Sequence, residues 1–386
     1  MTSSTGAGLR RLLDAAVGRG EVTGAVGLVD RPGGTEVAAA GSRTLGGPAD
    51  VTPETVFRIA SITKIVTAAA VMLLVDDGRL TLDAPVAPWL PELAEPRVVR
   101  TPDAPVDDLV PANRAITVRD LLNSTAGYGY PDDFSLPAAR ALAGGLRQSP
   151  PEPEGVPGPD EWLADLARIP LLAQPGERFL YNTTSDVLGV LIGRAAGVPT
   201  ADFLAGRLFG PLGMADTGFS VPPGRADRLT GLYRRKSDGG LLLWDAPDGM
   251  WSREPEFASG AGGLVSTAGD LLAFLRMLRA DGTAPDGRRI LAADSVRQMC
   301  TDQLTPAQRA SGAAFLDGQS WGFGGSVDIA PTEPWQVPGR YGWIGGTGAS
   351  AHLVPATGVV SILLTTTALS GPEAPPLMRE FWRYAA

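Results

Sequence analysis

A serine and a lysine three residues apart, Ser61 and Lys64, offer one way to activate a hydroxyl group. Residues three apart on an α-helix share a face, so their side chains can meet. Burial lowers the pKa of a lysine below its reference of about 10.4, so Lys64 could act as a neutral base or hold a neighbouring base ionised. With Ser61 at a helix N-terminus, backbone N–H groups and the helix dipole would stabilise the negative charge of nucleophilic attack. The pair predicts a serine nucleophile.

The surroundings of this pair favour catalysis over an ordinary serine N-cap. Residues 61–75 form helices readily and are almost uninterrupted in their apolar character, which should carry Lys64 into a buried setting. Lys64 and Lys236 are the only lysines in a chain that otherwise uses arginine. Arginine cannot lose its proton near neutral pH, so a catalytic amine is one position where it would not serve.

Other catalytic chemistry is disfavoured by the composition. His352 is the only histidine and lies in an apolar, strand-like run, and no Gly-x-Ser-x-Gly element occurs, which argues against a Ser-His-Asp triad. We expect a structural role for His352. Cys300 is the only cysteine, which excludes an internal disulfide and a cysteine-rich metal site, and we interpret it as an inert core thiol. Neither a metal nor a cofactor is predicted.

The residues around Ser61 resemble a known motif. Residues 56–70 look like the first motif of class C β-lactamases and family VIII carboxylesterases, members of the serine β-lactamase-like superfamily with the penicillin-binding-protein fold. Further blocks similar to this family cover residues 80–90, 116–127, 175–189, 209–219 and 260–269. The resemblance runs over nearly the full length and implies an acyl-enzyme on Ser61.

The resemblance also implies roles for two residues distant in sequence. Tyr181 matches the tyrosine of the family's Tyr-x-Asn element, and a phenol becomes a competent base when a cation such as Lys64 stabilises its phenolate. Whether Lys64 or Tyr181 takes the Ser61 proton stays open, because the two would titrate as a coupled unit. Gly346 falls where the family's strand supplies a backbone N–H, so the N–H groups of Ser61 and Gly346 would form the oxyanion hole, with glycine allowing close backbone approach.

Two positions depart from the β-lactamase pattern. Where β-lactamases carry Lys-Thr-Gly, this chain has Trp343, Ile344 and Gly345, a form similar to the esterase branch. The cation that helps hold the carboxylate of a β-lactam is replaced by an apolar wall, so uncharged carboxylic esters are the expected substrates. We expect Trp343, Gly345 and Tyr128 to contact substrate. Thr183 stands where many relatives have asparagine, which removes a side-chain amide contact to the acyl group.

The predicted reaction is acyl transfer through an acyl-Ser61 intermediate, with water as the acceptor in a carboxylesterase. An alcohol or amine acceptor would make the protein a transacylase of the kind that tailors natural products. D-aminopeptidase, amidase or weak β-lactamase activity is the alternative within the same fold, and a non-catalytic binding protein is the alternative outside enzymes. A mass shift after an ester or fluorophosphonate probe distinguishes the last of these from the rest.

The elements that must position these residues are predicted from hydrophobic periodicity. Helices are expected over residues 8–19, 61–75, 118–122, 161–166, 186–196, 201–209, 267–280, 293–300 and 377–385, and strands over 24–30, 36–40, 349–354 and 359–366. The fold class is α/β (α+β): an antiparallel sheet flanked by helices from both chain ends, with an inserted, mostly helical subdomain. We expect an α/β subdomain from residues 1–85 and 255–386, a helical one from 86–254, and the active site between them.

Bulk composition limits the partners. The 386 residues are 44% hydrophobic, enough for a large core or two subdomains. A net charge of -9 makes nucleic acid an unexpected partner. Residues 1–20 have no apolar stretch of signal-peptide length, and 65–75 has about half of the roughly 20 residues that span a bilayer. These features predict a cytoplasmic enzyme acting on a small molecule. Residues 148–159, rich in Pro and Gly, predict a lid or a surface loop.

Overall fold

The computed structural model describes residues 7–148, 152–222, 224–371 and 373–386. Its strands are β1 (Gly24–Arg31), β2 (Gly34–Gly41), β3 (Phe57–Arg58), β4 (Arg97–Val99), β5 (Leu109–Pro111), β6 (Leu232–Arg235), β7 (Leu241–Asp245), β8 (Val265–Ser266), β9 (Ser320–Trp321), β10 (Ser326–Val327), β11 (Tyr341–Gly345), β12 (Ala349–Val354) and β13 (Val359–Thr365). Its α-helices are α1 (Ala7–Gly18), α2 (Thr63–Asp76), α3 (Val118–Leu122), α4 (Pro137–Gly145), α5 (Pro159–Ala167), α6 (Thr183–Ala196), α7 (Thr200–Leu204), α8 (Gly210–Leu212), α9 (Ala268–Arg279), α10 (Ala293–Met299), α11 (Pro306–Ala310), α12 (Ala313–Leu316) and α13 (Pro376–Ala385).

A seven-stranded antiparallel sheet joins the two ends of the chain in the order β2-β1-β13-β12-β11-β10-β9. Alternate side chains of β13 enter two different cores, because successive residues of a strand point to opposite faces. Leu363 packs with α1 and α13, whereas Ile362 and Leu364 pack in the main core with α2. The predicted antiparallel sheet with helices from both chain ends is confirmed.

Helix α2 is buried along nearly its whole length. Every residue from Thr63 to Leu74 is buried, as expected for a helix that is apolar on all sides. A 3₁₀ turn, Ala60–Ile62, precedes the helix, so Ser61 lies in the turn that leads into α2. The sequence thus predicts the helix correctly, and the α-helix begins two residues after the predicted start at Ser61.

The middle of the chain, predicted to be mostly helical, also contains two short β-hairpins that the sequence did not indicate. Strands β4 and β5 pair there, and so do β6 and β7. The β6–β7 hairpin has few buried positions and docks through its backbone: Tyr233 N–H donates to the Thr366 carbonyl, and Ala368 N–H donates to the Tyr233 carbonyl, both at 2.8 Å. Such short strands carry no alternation that a sequence pattern could reveal. The division at residues 86 and 254 stays a prediction.

Two of the earlier expectations concern residues that are only partly described. Of the Pro-rich segment 148–159, residues 149–151 lie outside the described residues, and so do residues 1–6 at the N-terminus. Over the ranges given above, no single helix has the length and apolar character to cross a membrane. Two successive helical segments, residues 183–196 and 200–212, have that length and apolar character only when they are taken together, and the chain bends by 79° between them.

Two neighbouring glycines at the end of β11 differ in the space around them. A Cβ atom on Gly345 would lie 2.3 Å from the carbonyl oxygen of Ile59, whereas a Cβ atom on Gly346 would meet no described atom within 4 Å. Close packing against the protein thus requires glycine at position 345, whereas the role of Gly346 in the oxyanion hole stays a prediction. Gly345 lets β11 pass directly against the turn that carries Ser61.

We expect Gly345→Ala to lower the free energy of unfolding by about 1–3 kcal/mol, because the added methyl group would force β11 away from Ile59. Gly346→Ala is the matched control and should leave the free energy of unfolding nearly unchanged, since the space beside it is open. Urea denaturation followed by circular dichroism measures both. Equal losses in the two variants would contradict the close contact at Gly345.

Candidate active site

Ser61 is held in a strained turn at the start of α2. Its neighbour Ala60 has φ 42°, in the left-handed region that costs a non-glycine residue about 1 kcal/mol or more. Two hydrogen bonds fix the approach to the turn: Ile59 N–H donates to the Leu264 carbonyl at 3.0 Å, and the Thr347 hydroxyl donates to the Arg58 carbonyl at 2.6 Å. Ser61 itself is 8% exposed, so the turn presents one hydroxyl at the rim of a buried site.

Lys64 lies where the spacing predicts it. Its Nζ atom is 3.0 Å from Ser61 Oγ, and the residue is 1% exposed. Nζ also donates to Asn182 Oδ1 at 2.8 Å and to the Ala261 carbonyl at 2.6 Å. A neutral amine has two N–H groups and one lone pair. When the amine is neutral and donates both N–H groups to Asn182 and Ala261, its lone pair is left for the Ser61 hydroxyl.

Electrostatics favour the neutral form of this amine. Burial lowers the pKa of Lys64, because the ammonium ion loses its hydration, and the nearby negative charge of Asp186 opposes that change. The first cause outweighs the second, so the pKa of Lys64 falls below its ordinary value. A buried amine of this kind can accept a proton from a hydroxyl near neutral pH.

Tyr181 lies beside the same pair. Its phenol accepts a hydrogen bond from Trp343 Nε1 at 2.7 Å, and the Ser61 side chain is near enough to act on the pKa of the phenol. Its ring stacks on Phe315 at 4.8 Å between centroids, and Lys64 Nζ lies 4.8 Å from the ring centre. Burial raises the pKa of Tyr181 to about 12. The phenol therefore keeps its proton, which suits it to donate rather than to accept.

Asn182, and not the residue at position 183, places a side-chain amide at the site. Asn182 has φ 83° and directs its side chain to Lys64. Thr183 is fully buried and donates its hydroxyl to Gln148 Oε1 at 2.8 Å, away from Lys64. Sequence reasoning missed Asn182, although its position directly after Tyr181 was the available signal.

Asp186 is a second residue that sequence reasoning missed. It is 0% exposed, and its Oδ1 accepts from Ser259 Oγ at 2.6 Å and from Ala261 N–H at 3.0 Å. The same Ala261 peptide gives its carbonyl to Lys64, so one peptide unit links the carboxylate to the amine. Burial raises the pKa of Asp186. The available signal was an acidic residue inside an otherwise apolar helical run.

The remaining predicted residues lie in different surroundings. Trp343 packs edge-on against Trp321 at 4.8 Å beside Tyr181, and the Gly346 carbonyl, just past β11, accepts from Leu369 N–H at 2.8 Å. The structure does not support substrate contact by Tyr128, which is 1% exposed within the main core.

Tyr130, two residues after Tyr128, is the tyrosine at the site. It pairs its backbone with Tyr181 through two hydrogen bonds of 2.8 and 3.0 Å. Burial raises the pKa of its phenol, and the nearby Asn182 side chain opposes this change. Residues two apart on a regular strand share a face, but Gly129 between the two tyrosines has φ 142°, so the chain departs from a strand there and Tyr130 is less buried than Tyr128.

His352, Cys300 and the acidic residues do not form a second catalytic centre. His352 lies on β12, edge-on to Trp382 of α13 at 5.7 Å, and burial lowers its pKa. Burial raises the pKa of the Cys300 thiol to about 12, which makes the thiolate inaccessible. In the part of the chain that the structure describes, no group of three or more His, Cys, Asp or Glu side chains is placed to hold a metal ion.

A family model, related sequences and solved structures all match this chain over most of its length. The family model described as Beta-lactamase matches residues 9–380. The chain is 39% identical over 367 residues to "Protein Rv1367c" of Mycobacterium tuberculosis (93% of this chain, 88% of that protein). It is 33% identical over 403 residues to "Esterase EstB" of Burkholderia gladioli (97% and 93%). Among solved structures it resembles "EstCE1, a hydrolase with promiscuous acyltransferase activity", at TM-score 0.78 and 26% identity, covering 97% of each chain.

We expect Asp186→Asn to shift the pH dependence of Ser61 labelling by a fluorophosphonate toward lower pH. The carboxylate raises the pKa of Lys64, so its removal lowers that pKa and the neutral amine persists in more acidic solution. The rate of labelling, followed by intact-mass spectrometry between pH 5 and 9, measures the shift.

Asp270→Asn is the matched control. Asp270 likewise accepts from a hydroxyl and a backbone N–H, those of Thr217 and Asp216, but it does not act on Lys64. Its profile should follow that of the unmodified protein. An unchanged or alkaline-shifted profile for Asp186→Asn would contradict the electrostatic role of Asp186.

Proposed function

The chain belongs to the Beta-lactamase family, and we propose that within it the protein hydrolyses carboxylic esters through an acyl-enzyme on Ser61. It is an enzyme of the ester hydrolase or acyltransferase type, and its substrates are small molecules. The observation that carries the proposal is the buried contact of 3.0 Å between Lys64 Nζ and Ser61 Oγ, with the Tyr181 ring centre 4.8 Å from the same Nζ atom.

In the acylation step Lys64 accepts the proton of the Ser61 hydroxyl. Ser61 Oγ attacks the ester carbonyl carbon while its proton passes to the lone pair of Lys64 Nζ. The carbonyl oxygen becomes an oxyanion, held by the backbone N–H groups of Ser61 and Gly346. The opposite directions in which burial moves the two pKa values, down for Lys64 and up for Tyr181, favour the amine as the base.

When the alcohol departs, Tyr181 donates a second proton, to the leaving oxygen. As the C–O bond breaks, the leaving oxygen takes the phenolic proton of Tyr181, and Lys64 returns the Ser61 proton to the phenolate. The hydrogen bond from Trp343 Nε1 stabilises the negative charge on the phenol oxygen during this step. Water then attacks the acyl carbon and gives a proton to the pair formed by Lys64 and Tyr181. The bond between the acyl carbon and Ser61 Oγ breaks, Ser61 Oγ takes a proton back from this pair, and the carboxylic acid leaves.

The wall beside Tyr181 favours esters that are uncharged at the scissile group. Trp343, Phe315 and Trp321 surround the phenol with aromatic rings. A carboxylate next to the reacting carbonyl would lose its hydration there without a cation to replace it. This surrounding favours uncharged esters over β-lactams, which carry such a carboxylate.

Acyl transfer to an alcohol or amine is the second candidate. The similarity to a hydrolase described as having promiscuous acyltransferase activity favours it. The chemistry up to the acyl-enzyme is the same, and only the acceptor differs. Adding an alcohol to the ester assay and measuring the new ester against the free acid distinguishes the two.

We expect Ser61→Ala and Lys64→Ala each to reduce kcat/KM for p-nitrophenyl butyrate about a thousandfold or more, because both remove the activated nucleophile. Lys236→Ala, which changes the other lysine of the chain at an exposed position, is the control and should keep full activity. Intact-mass spectrometry should detect the acyl adduct on the unmodified protein and not on Ser61→Ala. Faster turnover of nitrocefin or a D-amino-acid amide than of the ester would overturn the proposal.

We expect Tyr181→Phe to harm esters of poor leaving groups most. A p-nitrophenolate ion departs without a proton, whereas an ethoxide ion needs one, so kcat/KM for an ethyl ester should fall about a hundredfold further than for the p-nitrophenyl ester of the same acid. Tyr130→Phe is the control and should affect both esters equally. Equal losses for Tyr181→Phe would contradict its role as proton donor to the leaving group.

A further inference from the structure

A cavity of about 430 Å³ lies beside the proposed oxyanion hole. Ala60 and Gly346 form one side of it, and Arg234 and Trp244 of the β6–β7 hairpin form another. Its described lining residues include two arginines and no carboxylate. The cavity wall is therefore cationic, in a chain whose net charge is -9.

Arg234 provides an uncompensated positive charge on this wall. It is exposed, its guanidinium carbon lies 3.2 Å from the ring centre of Trp244, and it has no acidic partner within the ranges that the structure describes. Arg235 differs, because its guanidinium donates to the carbonyls of Glu21 at 2.7 Å and Gly239 at 2.8 Å. Arg234 is thus the arginine of this wall whose guanidinium makes no hydrogen bond to the described residues.

Trp244 adds a second unused donor. Its Nε1 atom is buried and makes no hydrogen bond to any described residue. A guanidinium stacked on an indole is held in place by the cation–π interaction, while its N–H groups remain directed outward in one plane. Planar N–H donors of this kind fit the two oxygens of a carboxylate.

A buried ion pair holds this hairpin at a fixed position relative to Ser61. Arg58, three residues before Ser61, donates from Nε to Asp245 Oδ2 at 2.8 Å, and the two side chains are almost fully buried. Asp245 follows Trp244 directly. Arg58 also donates to the Thr230 carbonyl at 2.7 Å, so both ends of the hairpin are tied to the strand that leads to the nucleophile.

The position of the cavity identifies the part of the substrate that enters it. The leaving group departs toward Tyr181 and Trp343, and neither residue lines the cavity. Ala60 and Gly346, which do line it, border the proposed site of the oxyanion, so the cavity adjoins the carbonyl group without reaching the proton donor to the leaving group, which leaves it open to the acyl chain. An acyl chain that extends past Gly346 would reach Arg234.

We propose that Arg234 binds a carboxylate at the far end of the acyl chain, so that the preferred substrates are monoesters of dicarboxylic acids. This inference rests on the proposed function and narrows it: the ester is neutral at the scissile group and negatively charged at a distance. It also accounts for the buried Arg58–Asp245 pair, which fixes the cation relative to Ser61.

The test compares p-nitrophenyl monoesters of adipic, pimelic and suberic acid with the same compounds whose free carboxylate is methylated. We expect the charged ester to have a kcat/KM roughly tenfold above its neutral counterpart at the best chain length and low salt. Arg234→Gln should bring this ratio to about one, Arg234→Glu should bring it below one, and sodium chloride should reduce it in the unmodified protein. Arg11→Gln, at an exposed position of α1, is the control and should keep both the activity and the ratio.

The outcomes separate this inference from the proposed function. A ratio near one at every chain length, with normal turnover of the neutral esters, would overturn the carboxylate site and leave the serine hydrolase intact. A ratio that survives Arg234→Gln would overturn the assignment to Arg234. Absence of any acyl adduct on Ser61 with either ester would overturn the proposed function, and this inference with it.

Discussion

The proposed chemistry depends on the removal of one amine from water. An ammonium ion buried at 1% exposure loses hydration worth several kcal/mol, and the single carboxylate near Lys64 returns only part of it. The neutral amine is therefore accessible. This requires α2 to be apolar on every side, because any polar face would admit water to Lys64. The long apolar run after Ser61 is thus both a core element and the cause of the reactivity of the site.

The backbone around the site stores strain that the fold must balance. Ala60 and Asn182 both have positive φ, and they stand directly next to Ser61 and Tyr181. Each of these conformations costs about 1 kcal/mol or more and persists only where the surroundings hold it. Here Thr347 and Leu264 hold the turn before Ser61, and the pairing of Tyr130 with Tyr181 holds the other. Ala60 directly precedes the hydroxyl that contacts Lys64 Nζ, and Asn182 carries the amide that contacts the same atom.

How far the sequence predicts the molecule depends on the range of each interaction. The Ser61–Lys64 contact is local, so its spacing and the apolar helix suffice to predict it. Tyr181 comes only from the resemblance to a family, because 117 residues separate it from Lys64. Asp186 and the Arg58–Asp245 pair depend on contacts between distant segments, which no local pattern encodes. Tyr128 was expected to contact substrate and is buried, because the burial of a side chain in an irregular segment depends on distant contacts such as the pairing of Tyr130 with Tyr181.

The anchoring of the β6–β7 hairpin has a consequence for engineering. Its base is locked by Arg58, Asp245 and the backbone bonds of Tyr233, whereas Leu242 and Leu243 on its outer strand are exposed. Residues 236–240 at its tip are exposed as well. The hairpin is therefore suited to combinatorial libraries. Its tip and outer strand can be randomised to alter substrate selectivity, while the anchored base keeps the position of Ser61 unchanged.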